Sequence, residues 1–311
     1  MPSISSASQI KKRTISFLQK IPKENFLQKS QELIIPLIDH LKHEYAIIPE
    51  RERIGKGAIY ICKHIAKELV SFLINTLHFE SNNCLDLCRE FYRYDMKNDF
   101  LLLKYLSLLI LAEFLSKTPQ YLHRAIDLIE LGATDEEWSV RETSIYPIIS
   151  CLKKNPDTTL EYLNNLTNRS NENLRRLASE SLRPSGAIKW IRNANKNDKV
   201  LHLLSKLRTD NSIYVRKSVG NNLKDLSKYM PEKILNLMGN WIKLSKIKVK
   251  DDLASEKGLN KEQKNVIWTI KHAMRWIRKR DPKCNKELKE ILGINYVLYF
   301  DEKSNKYAKP N

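Results

Sequence analysis

The chain has 311 residues, of which 42% are hydrophobic and 29% charged, with 8 glycines and 11 prolines. Such a composition provides for a large core in one or two domains and leaves little flexible linker. The five cysteines are an odd number, and only Cys84 and Cys88 are close in sequence, with no histidine beside them at metal-ligand spacing. We therefore expect reduced thiols of a cytosolic protein, and neither a disulfide framework nor a metal site nor a cofactor.

The formal net charge of +18 is distributed unevenly along the chain. Residues 1–182 carry 24 Lys and Arg against 23 Asp and Glu, whereas residues 183–311 carry 30 against 13. This asymmetry indicates a polyanionic partner, and nucleic acid is the first candidate because basic side chains that bind phosphates release condensed counterions. An anionic membrane is the less favoured alternative, since neither terminus has a basic amphipathic segment with an exposed apolar face.

The first half of the chain predicts helices. The N-terminus has no apolar core of a signal peptide, and residues 60–77 and 100–116 have helical apolar periodicity. The run at 101–115 is too short for a membrane span and contains Lys104 and Glu113, so we interpret it as a buried helix. Strand signals are weak throughout, and the fold class is therefore all-α.

The second half contains a repeat. Three segments align without gaps: VRETSIYPI from Val140, LRRLASESL from Leu174 and VRKSVGNNL from Val215. In each, an apolar residue precedes Arg, and another apolar residue follows eight positions after the first. The later positions are Ile148, Leu182 and Leu223. A fourth copy begins at Val266, with Ile267 in place of Arg and Met274 eight positions after Val266.

Helix boundaries fit this repeat. Helix-start pairs precede the three copies: Thr134-Asp135, Ser170-Asn171 and Thr209-Asp210. A proline sixteen positions after the first apolar residue suits the first turn of a second helix in three copies. These prolines are Pro156, Pro231 and Pro282. Starts 34, 41 and 51 residues apart indicate two-helix units of an α-solenoid.

The helix with the apolar-Arg pattern is the predicted inner, ligand-facing helix of each unit. Its three arginines, Arg141, Arg175 and Arg216, are candidates for binding a polyanion. Arginines at repeated positions also tie one repeat to the next through ion pairs and caps. Both interpretations are open at this point.

Trp138 and Glu142 are four residues apart, so they share one helix face. Thr134 can cap this helix, with Glu137 completing a capping box. Such a carboxylate suits stabilisation of a developing positive charge. The alternatives are an ion pair of Glu142 with Arg175 or Arg176, and a core position for Trp138. An inter-repeat hydrogen-bond ladder is the corresponding alternative for Asp225, together with Asn221 and Asn222.

Three strings resemble the HEAT-repeat DNA glycosylases of the AlkC/AlkD superfamily, and the AlkC branch most closely. They are LRRLASESLRP (174–184), YVRKSVGNNLKDLSKYMP (214–231) and WTIKHAMRWIRKRDP (268–282). The resemblance is clearest over residues 130–293 and architectural before that. It implies one solenoid of HEAT-like repeats over residues 1–293, with a basic concave face that binds duplex DNA. Residues 294–311 would be a C-terminal tail in place of the immunoglobulin-like domain of some AlkC proteins.

The resemblance also implies the site residues. Glu142 and Asp225 would be the catalytic carboxylates, with Trp138 as the aromatic neighbour. The residues implied or predicted to bind DNA are Arg141, Arg175, Arg176, Arg183, Trp190, Arg216, Lys217, His272 and Arg275. The family usually has a proline-containing, tryptophan-ended element after the LRP string; here SGAIKW follows, so the position of Trp190 departs from the pattern. No nucleophile accompanies His272, which we interpret as structural or phosphate-facing.

The implied activity is hydrolysis of the N-glycosidic bond of cationic alkylated purines, such as 3-methyladenine or 7-methylguanine. We expect a monofunctional, metal-free monomer in the bacterial cytoplasm at the nucleoid, with no obligate protein partner. The first alternative is a non-catalytic paralogue that binds damaged, branched or ordinary DNA. The second is a protein-interaction scaffold, which the basic residues 183–311 disfavour.

Overall fold

The computed structural model describes residues 4–27, 30–53, 57–98, 101–250 and 259–300. All regular structure in these ranges is helical, which confirms the all-α prediction. The chain divides into two compact units, Met1–Thr159 and Leu160–Asn311. The prediction of a single solenoid over residues 1–293 stays a prediction.

The first unit contains helices α1 to α9 and the start of α10. Their bounds are α1 Ala7–Leu18, α2 Lys23–Leu27, α3 Ser30–Ala46, α4 Ala58–Asn75, α5 Ser81–Asn98, α6 Leu101–Lys117, α7 Leu122–Ala133, α8 Trp138–Thr143, α9 Ile145–Lys154 and α10 Pro156–Leu166. Short 3-10 helices lie at Glu50–Glu52 and Pro119–Tyr121. Helix α6 packs against α4, α5 and α9, and most of its side chains are buried. The prediction of a buried helix at 101–115 is therefore confirmed.

The second unit holds the remaining helices. Their bounds are α11 Glu172–Glu180, α12 Asp198–Lys206, α13 Ile213–Leu226, α14 Pro231–Leu244, α15 Lys261–Ala273, α16 Arg275–Arg280, α17 Pro282–Leu292 and α18 Ile294–Phe300. A 3-10 helix spans Lys189–Arg192. Helix α13 packs against α11 on one side and α15 on the other, whereas α14 packs against α17. Alternate helices thus form a row α11–α13–α15, as expected for stacked helical pairs.

The repeat pattern read from the sequence is the packing pattern of the core. The apolar residues at both marked positions of all four copies are buried: Val140, Ile148, Leu174, Leu182, Val215, Leu223, Val266 and Met274. The three prolines begin the second helices α10, α14 and α17. Proline is tolerated in the first turn of a helix because the backbone N–H that it lacks would have no hydrogen-bond partner within the helix.

The prediction of a tail from residue 294 is wrong for residues 294–300, which form α18. Asn295, Tyr299 and Phe300 are buried in it. Gly293 makes the sharp entry to this helix with φ +53°, and a Cβ there would lie 1.9 Å from the carbonyl oxygen of Val249. Arg278 donates to the carbonyl oxygen of Phe300 at 2.6 Å. The rest of the predicted tail, 301–311, lies outside the described residues.

Two general features of the sequence can be placed in this fold. All five cysteines are free thiols in the core, and burial raises the pKa of Cys151 to about 12. Within the described ranges, no helix combines the length and apolar character needed to cross a bilayer.

Candidate functional site

The three repeated arginines make the same backbone contacts. Nη1 of Arg141 donates to the carbonyl oxygens of Asp135 and Glu136, at 2.7 Å each. Arg175 and Arg216 likewise donate to the carbonyl oxygens six and five positions earlier in the chain. These carbonyls belong to the loop that enters each helix. The repeated arginine thus fastens that loop onto its own helix.

Arg175 also ties one repeat to the next. Its Nε and Nη2 donate to the two carboxylate oxygens of Asp210 at 2.6 and 3.0 Å, and the Asp210 side chain is only 5% exposed. Arg216 is buried, with its guanidinium 5.3 Å from the ring centre of Trp268. The structure thus shows the ion-pair alternative for Arg175, whereas Arg141 and Arg216 hold the loops that enter their own helices. Direct contact of the three arginines with DNA stays a prediction.

Helix α8 is anchored by one face and exposes the other. Val140 and Thr143 are buried, whereas Trp138 is 65% exposed and Glu142, one turn later, is partly exposed. The Trp138 ring is consequently not a core residue, which excludes that alternative. The indole is thus at the surface, with a partly exposed carboxylate one turn away.

The predicted capping box at α8 is wrong. The hydroxyl of Thr134 donates to the carbonyl oxygens of Glu130 and Leu131, so this residue ends α7. Asp135 supports the start of α8, because its Oδ1 accepts from the backbone N–H of Glu137 at 2.9 Å. Thr134 and Asp135 are adjacent in sequence. Because α7 ends at Thr134, the side chain that supports the start of α8 is that of Asp135.

Asp225 lies among three cations in the second unit. Arg183 Nη2 is 3.0 Å from its Oδ2, and Nζ of Lys224 and of Lys228 are each 3.1 Å from its Oδ1. Burial raises the pKa of this carboxyl, but the hydrogen bonds from Arg183, Lys224 and Lys228 outweigh it and leave the pKa below its ordinary value. Asp225 is therefore ionised at neutral pH.

A second carboxylate, Glu180, joins the predicted residues Arg176 and Arg183 and was not identified from the sequence. Its side chain is 6% exposed and lies 2.9 Å from Arg183 Nη1 and 3.6 Å from Arg176 Nη2. It also accepts from Ser218 Oγ at 2.6 Å, across from α13. The sequence signal was there: Glu180 follows Arg176 by four residues and precedes Arg183 by three, both helical-neighbour spacings.

His272 and Arg275 meet over α13. Oδ1 of Asn221 lies 3.2 Å from His272 Nε2 and accepts from Arg275 Nη2 at 2.7 Å. The imidazole stacks on Trp268, with ring centres 5.1 Å apart and an angle of 8°. Burial, together with the positive charges of Arg275, Lys217 and Lys224, lowers the pKa of His272 to about 4. This histidine is therefore neutral at pH 7.

Trp190 lies on the short helix Lys189–Arg192 and is partly buried. Its neighbours in sequence, Ile188 and Ile191, are buried. Arg192 fixes this segment, since its Nε donates to the carbonyl oxygen of Pro184 at 3.0 Å and its guanidinium lies 4.9 Å from the ring centre of Tyr229. A contact of Trp190 with DNA stays a prediction. In the ranges that the structure describes, no group of three or more His, Cys, Asp or Glu side chains could hold a metal ion.

Comparison with known families decides what kind of protein carries these residues. The family described as DNA alkylation repair enzyme matches residues 96–277, more than half of the chain. The chain belongs to this family. The match confirms the resemblance drawn from residues 174–184, 214–231 and 268–282, and it includes Trp138 and Glu142. The closer likeness to the AlkC branch stays a prediction.

Individual relatives are distant. YhaZ of Bacillus subtilis, an uncharacterized protein, is 32% identical over 152 residues, which are 48% of this chain and 37% of YhaZ. AlkD2 from Streptococcus mutans has a TM-score of 0.53 at 21% identity, covering 78% of this chain and 98% of AlkD2. The alkylpurine DNA glycosylase AlkC of Pseudomonas fluorescens, bound to DNA containing an abasic site analog, has a TM-score of 0.46 at 17% identity, covering 94% of this chain and 69% of AlkC.

The likeness to AlkD2 confirms the predicted fold class, an α-solenoid of HEAT-like repeats. The matched part of YhaZ is little more than a third of its length. A basic concave face stays a prediction. The chain is thus a member of a DNA alkylation repair family with a helical-repeat fold.

Proposed function

We propose that the protein is a DNA glycosylase that hydrolyses the N-glycosidic bond of cationic alkylated purines in duplex DNA. The observation that carries this proposal is the Trp138 side chain, 65% exposed on the same helix face as Glu142, within the residues matched by the repair family. Exposing an indole to water forgoes the stabilisation of about 1.5 to 3 kcal/mol that burial of a large side chain provides. A ligand that covers the indole accounts for this arrangement.

The chemistry of the substrate determines what the protein must supply. In the reaction the C1′–N bond breaks, and its electron pair passes to the alkylated base, which loses its positive charge. Water adds to C1′ and gives up one proton, which leaves an abasic site. Because the leaving base is already cationic, no strong general acid is required.

The Glu142 carboxylate stabilises the positive charge that develops on the sugar as the sugar becomes oxocarbenium-like. The same carboxylate can orient the attacking water. Trp138 supplies a π-face, whose attraction for a cationic base contributes about 0.5 to 2 kcal/mol. These two roles require a carboxylate and an indole on one exposed face, which is how α8 presents them.

Asp225 is the second proposed catalytic carboxylate. Its lowered pKa keeps it ionised, the form that stabilises a developing cation. The cations at Arg183, Lys224 and Lys228 offset its repulsion of DNA phosphates. The protein would act as a monomer on chromosomal DNA in the bacterial cytoplasm.

A specific observation favours the alternative of a DNA-binding protein without activity. Both oxygens of Asp225 are engaged by cations of the protein, in an arrangement that a structural ion-pair network would also have. Binding of damaged DNA without base release requires the same basic residues but no exposed carboxylate.

Release of methylated bases from duplex DNA treated with a methylating agent tests the proposal. We expect 3-methyladenine or 7-methylguanine to be released by the natural chain. Glu142→Gln and Asp225→Asn should each lose on the order of 10²-fold or more in rate while still binding DNA. Glu161→Gln, at an exposed position on α10, is the matched control and should keep full activity.

Two results would contradict the proposal. DNA binding without release of any base supports the non-catalytic alternative. Equal base release by all three variants would show that the protein has the activity but that Glu142 and Asp225 are not its catalytic residues.

A further inference from the structure

We propose that one phosphodiester group of DNA binds over the junction of α13 and α15, between Lys217, Lys224 and Arg275, and that His272 takes up a proton as it binds. This inference rests on the DNA partner of the proposed function and does not depend on catalysis. It adds a defined phosphate position and a proton to the binding reaction.

The imidazole of His272 is fixed by tight packing. A Cβ added to Gly220 would lie 2.6 Å from His272 Cδ2 and 2.9 Å from its Cβ, so the ring lies directly on the backbone of α13. Trp268 stacks on the ring, and the guanidinium of Arg216 lies near the indole. The ring is thus held in one orientation before any ligand arrives.

The hydrogen bonds of this cluster specify where a proton can be added. Asn221 Oδ1 is an acceptor, since Arg275 Nη2 donates to it, and the Nε2–H of His272 therefore donates to the same atom. In that tautomer Nδ1 carries the lone pair. A proton from solvent binds at Nδ1 and turns the ring into a second N–H donor and a cation.

The charges around the ring come from α13 and from the start of α16. Lys217 and Lys224 act on it from α13, and Arg275 from the start of α16. Among the described residues, the acid that acts on this cluster is Asp225, which is paired with Lys224 at 3.1 Å and acts on Arg275. Within the same residues, cations outnumber anions around His272.

This excess of cations suits a phosphate. Lys217 is exposed, and Arg275 is held by its bonds to the carbonyl oxygen of His272 and to Asn221 while its guanidinium has further N–H groups to donate. By contrast, the repeated arginines direct Nη1 to loop carbonyls. A tetrahedral anion has several acceptor oxygens, so it can accept from donors on both α13 and α16.

Uptake of a proton by His272 follows from the charges around its ring. In the free protein, burial and the three cations hold the pKa of His272 at about 4. A phosphate among the same cations offsets their effect and raises the pKa above this value, while the effect of burial remains. Between the pKa of the free protein and the higher pKa of the complex, DNA binding takes up a proton, so affinity increases as pH falls through this window.

Calorimetric titration of the full chain with an unmodified duplex oligonucleotide tests this. Titrations near pH 5 in two buffers of different ionisation enthalpy give the number of protons taken up. We expect proton uptake by the natural chain and less by His272→Gln. Lys217→Gln should reduce the dependence of log affinity on log salt by about one. Lys243→Gln, at an exposed position on α14, is the matched control and should change neither quantity.

A second measurement protects the test if His272→Gln fails to fold. The imidazole proton resonance of His272 in the natural chain is titrated with pH, free, with duplex DNA, and with inorganic phosphate at equal ionic strength. We expect DNA to raise its pKa by about one or more units, and inorganic phosphate to do so only at far higher concentration.

The outcomes separate the inference from the proposed function. Absence of any salt-dependent binding to DNA would overturn both. Binding to DNA with no shift of the His272 resonance, or with proton uptake equal in His272→Gln, overturns the phosphate position alone. Methylated-base release is measured independently and is unaffected by that result.

Discussion

At the scale of single residues, two tryptophans show how burial separates structure from candidate function. Trp138 is 65% exposed, whereas Trp241 is 1% exposed and its Nε1–H donates to Ser205 Oγ at 3.0 Å. We expect Trp241→Ala to cost about 3 to 5 kcal/mol in the free energy of unfolding. Trp138→Ala should cost about 0.5 kcal/mol or less. Denaturant unfolding of both variants measures this, and an equal loss in the two would show that Trp138 is covered by protein.

Gly220 is required by the imidazole that lies on it. In an open helix position, Ala in place of Gly stabilises by about 0.5 to 1 kcal/mol. At Gly220 the new methyl group would overlap His272, and we expect a net destabilisation of about 1 to 3 kcal/mol. Gly239→Ala on α14 is the control, because its Cβ would meet only Ile291 Cγ2 at 3.8 Å. Thermal unfolding should move in opposite directions for the two variants; a gain in both would mean that His272 moves aside at no cost.

Residue spacing alone does not reveal a buried polar network. The Arg176–Glu180–Arg183 spacing predicts ion pairs on a helix surface. It gives no indication that Glu180 is 6% exposed and accepts from Ser218, because that contact depends on how α11 packs against α13. The contact of Asp225 with Arg183 was equally hidden, since Arg183 lies 42 residues away in the chain.

At the scale of helices, the repeat was predictable because the apolar residues that define it form the core. Val215 and Leu223 are buried at the positions that the alignment marks, and Pro231 begins α14 where the alignment places it. The helix breaks were not predictable. The first copy is divided at Ser144 and the fourth at Met274, whereas α13 runs without interruption. Apolar periodicity continues through such breaks, because the chain resumes a helix with the same side buried.

The contact between Arg175 and Asp210 is an ion pair that joins α11 to the loop before α13. Both charges are shielded from water, with side-chain exposures of 16% and 5%. We expect Arg175→Gln and Asp210→Asn each to cost about 2 to 4 kcal/mol, because each leaves the other charge without its partner. The double variant should show a coupling of about 1 to 3 kcal/mol.

The control pair joins α14 to α17 on the surface. Lys283 and Glu232 are 3.8 Å apart with side chains 84% and 74% exposed, so their coupling should be near zero. Double-mutant cycles by denaturant unfolding measure both pairs. Equal coupling in the two would contradict the view that burial gives the Arg175–Asp210 contact its strength.

At the scale of the whole molecule, each compact unit contains a neutral histidine held by aromatic stacking. In the first unit His40 stacks on Phe17, with ring centres 4.3 Å apart. In the second unit His272 stacks on Trp268. Burial is the largest cause that lowers the pKa of each to about 4. Charge counting and apolar periodicity do not identify such groups, because their pKa depends on what packs against them.

These two histidines determine how stability should change with pH. The unfolded chain binds a proton at each imidazole below about pH 6.5, whereas the folded chain does so only near pH 4. Between these values the unfolded state binds more protons, so stability is lost as pH falls from about 6.5 to 4. We expect the melting temperature to fall over this range, and His40→Gln and His272→Gln each to make the fall less steep.

His202→Gln is the control for loss of an imidazole from the surface, because that side chain is exposed on α12. If all three variants have the slope of the natural chain, neither buried histidine is linked to unfolding. If only one of His40→Gln and His272→Gln flattens the slope, the unit that contains it sets the transition. DNA should protect against the same acid loss only through His272, because a phosphate at α13 raises its pKa and leaves the Phe17–His40 stack in the first unit unchanged.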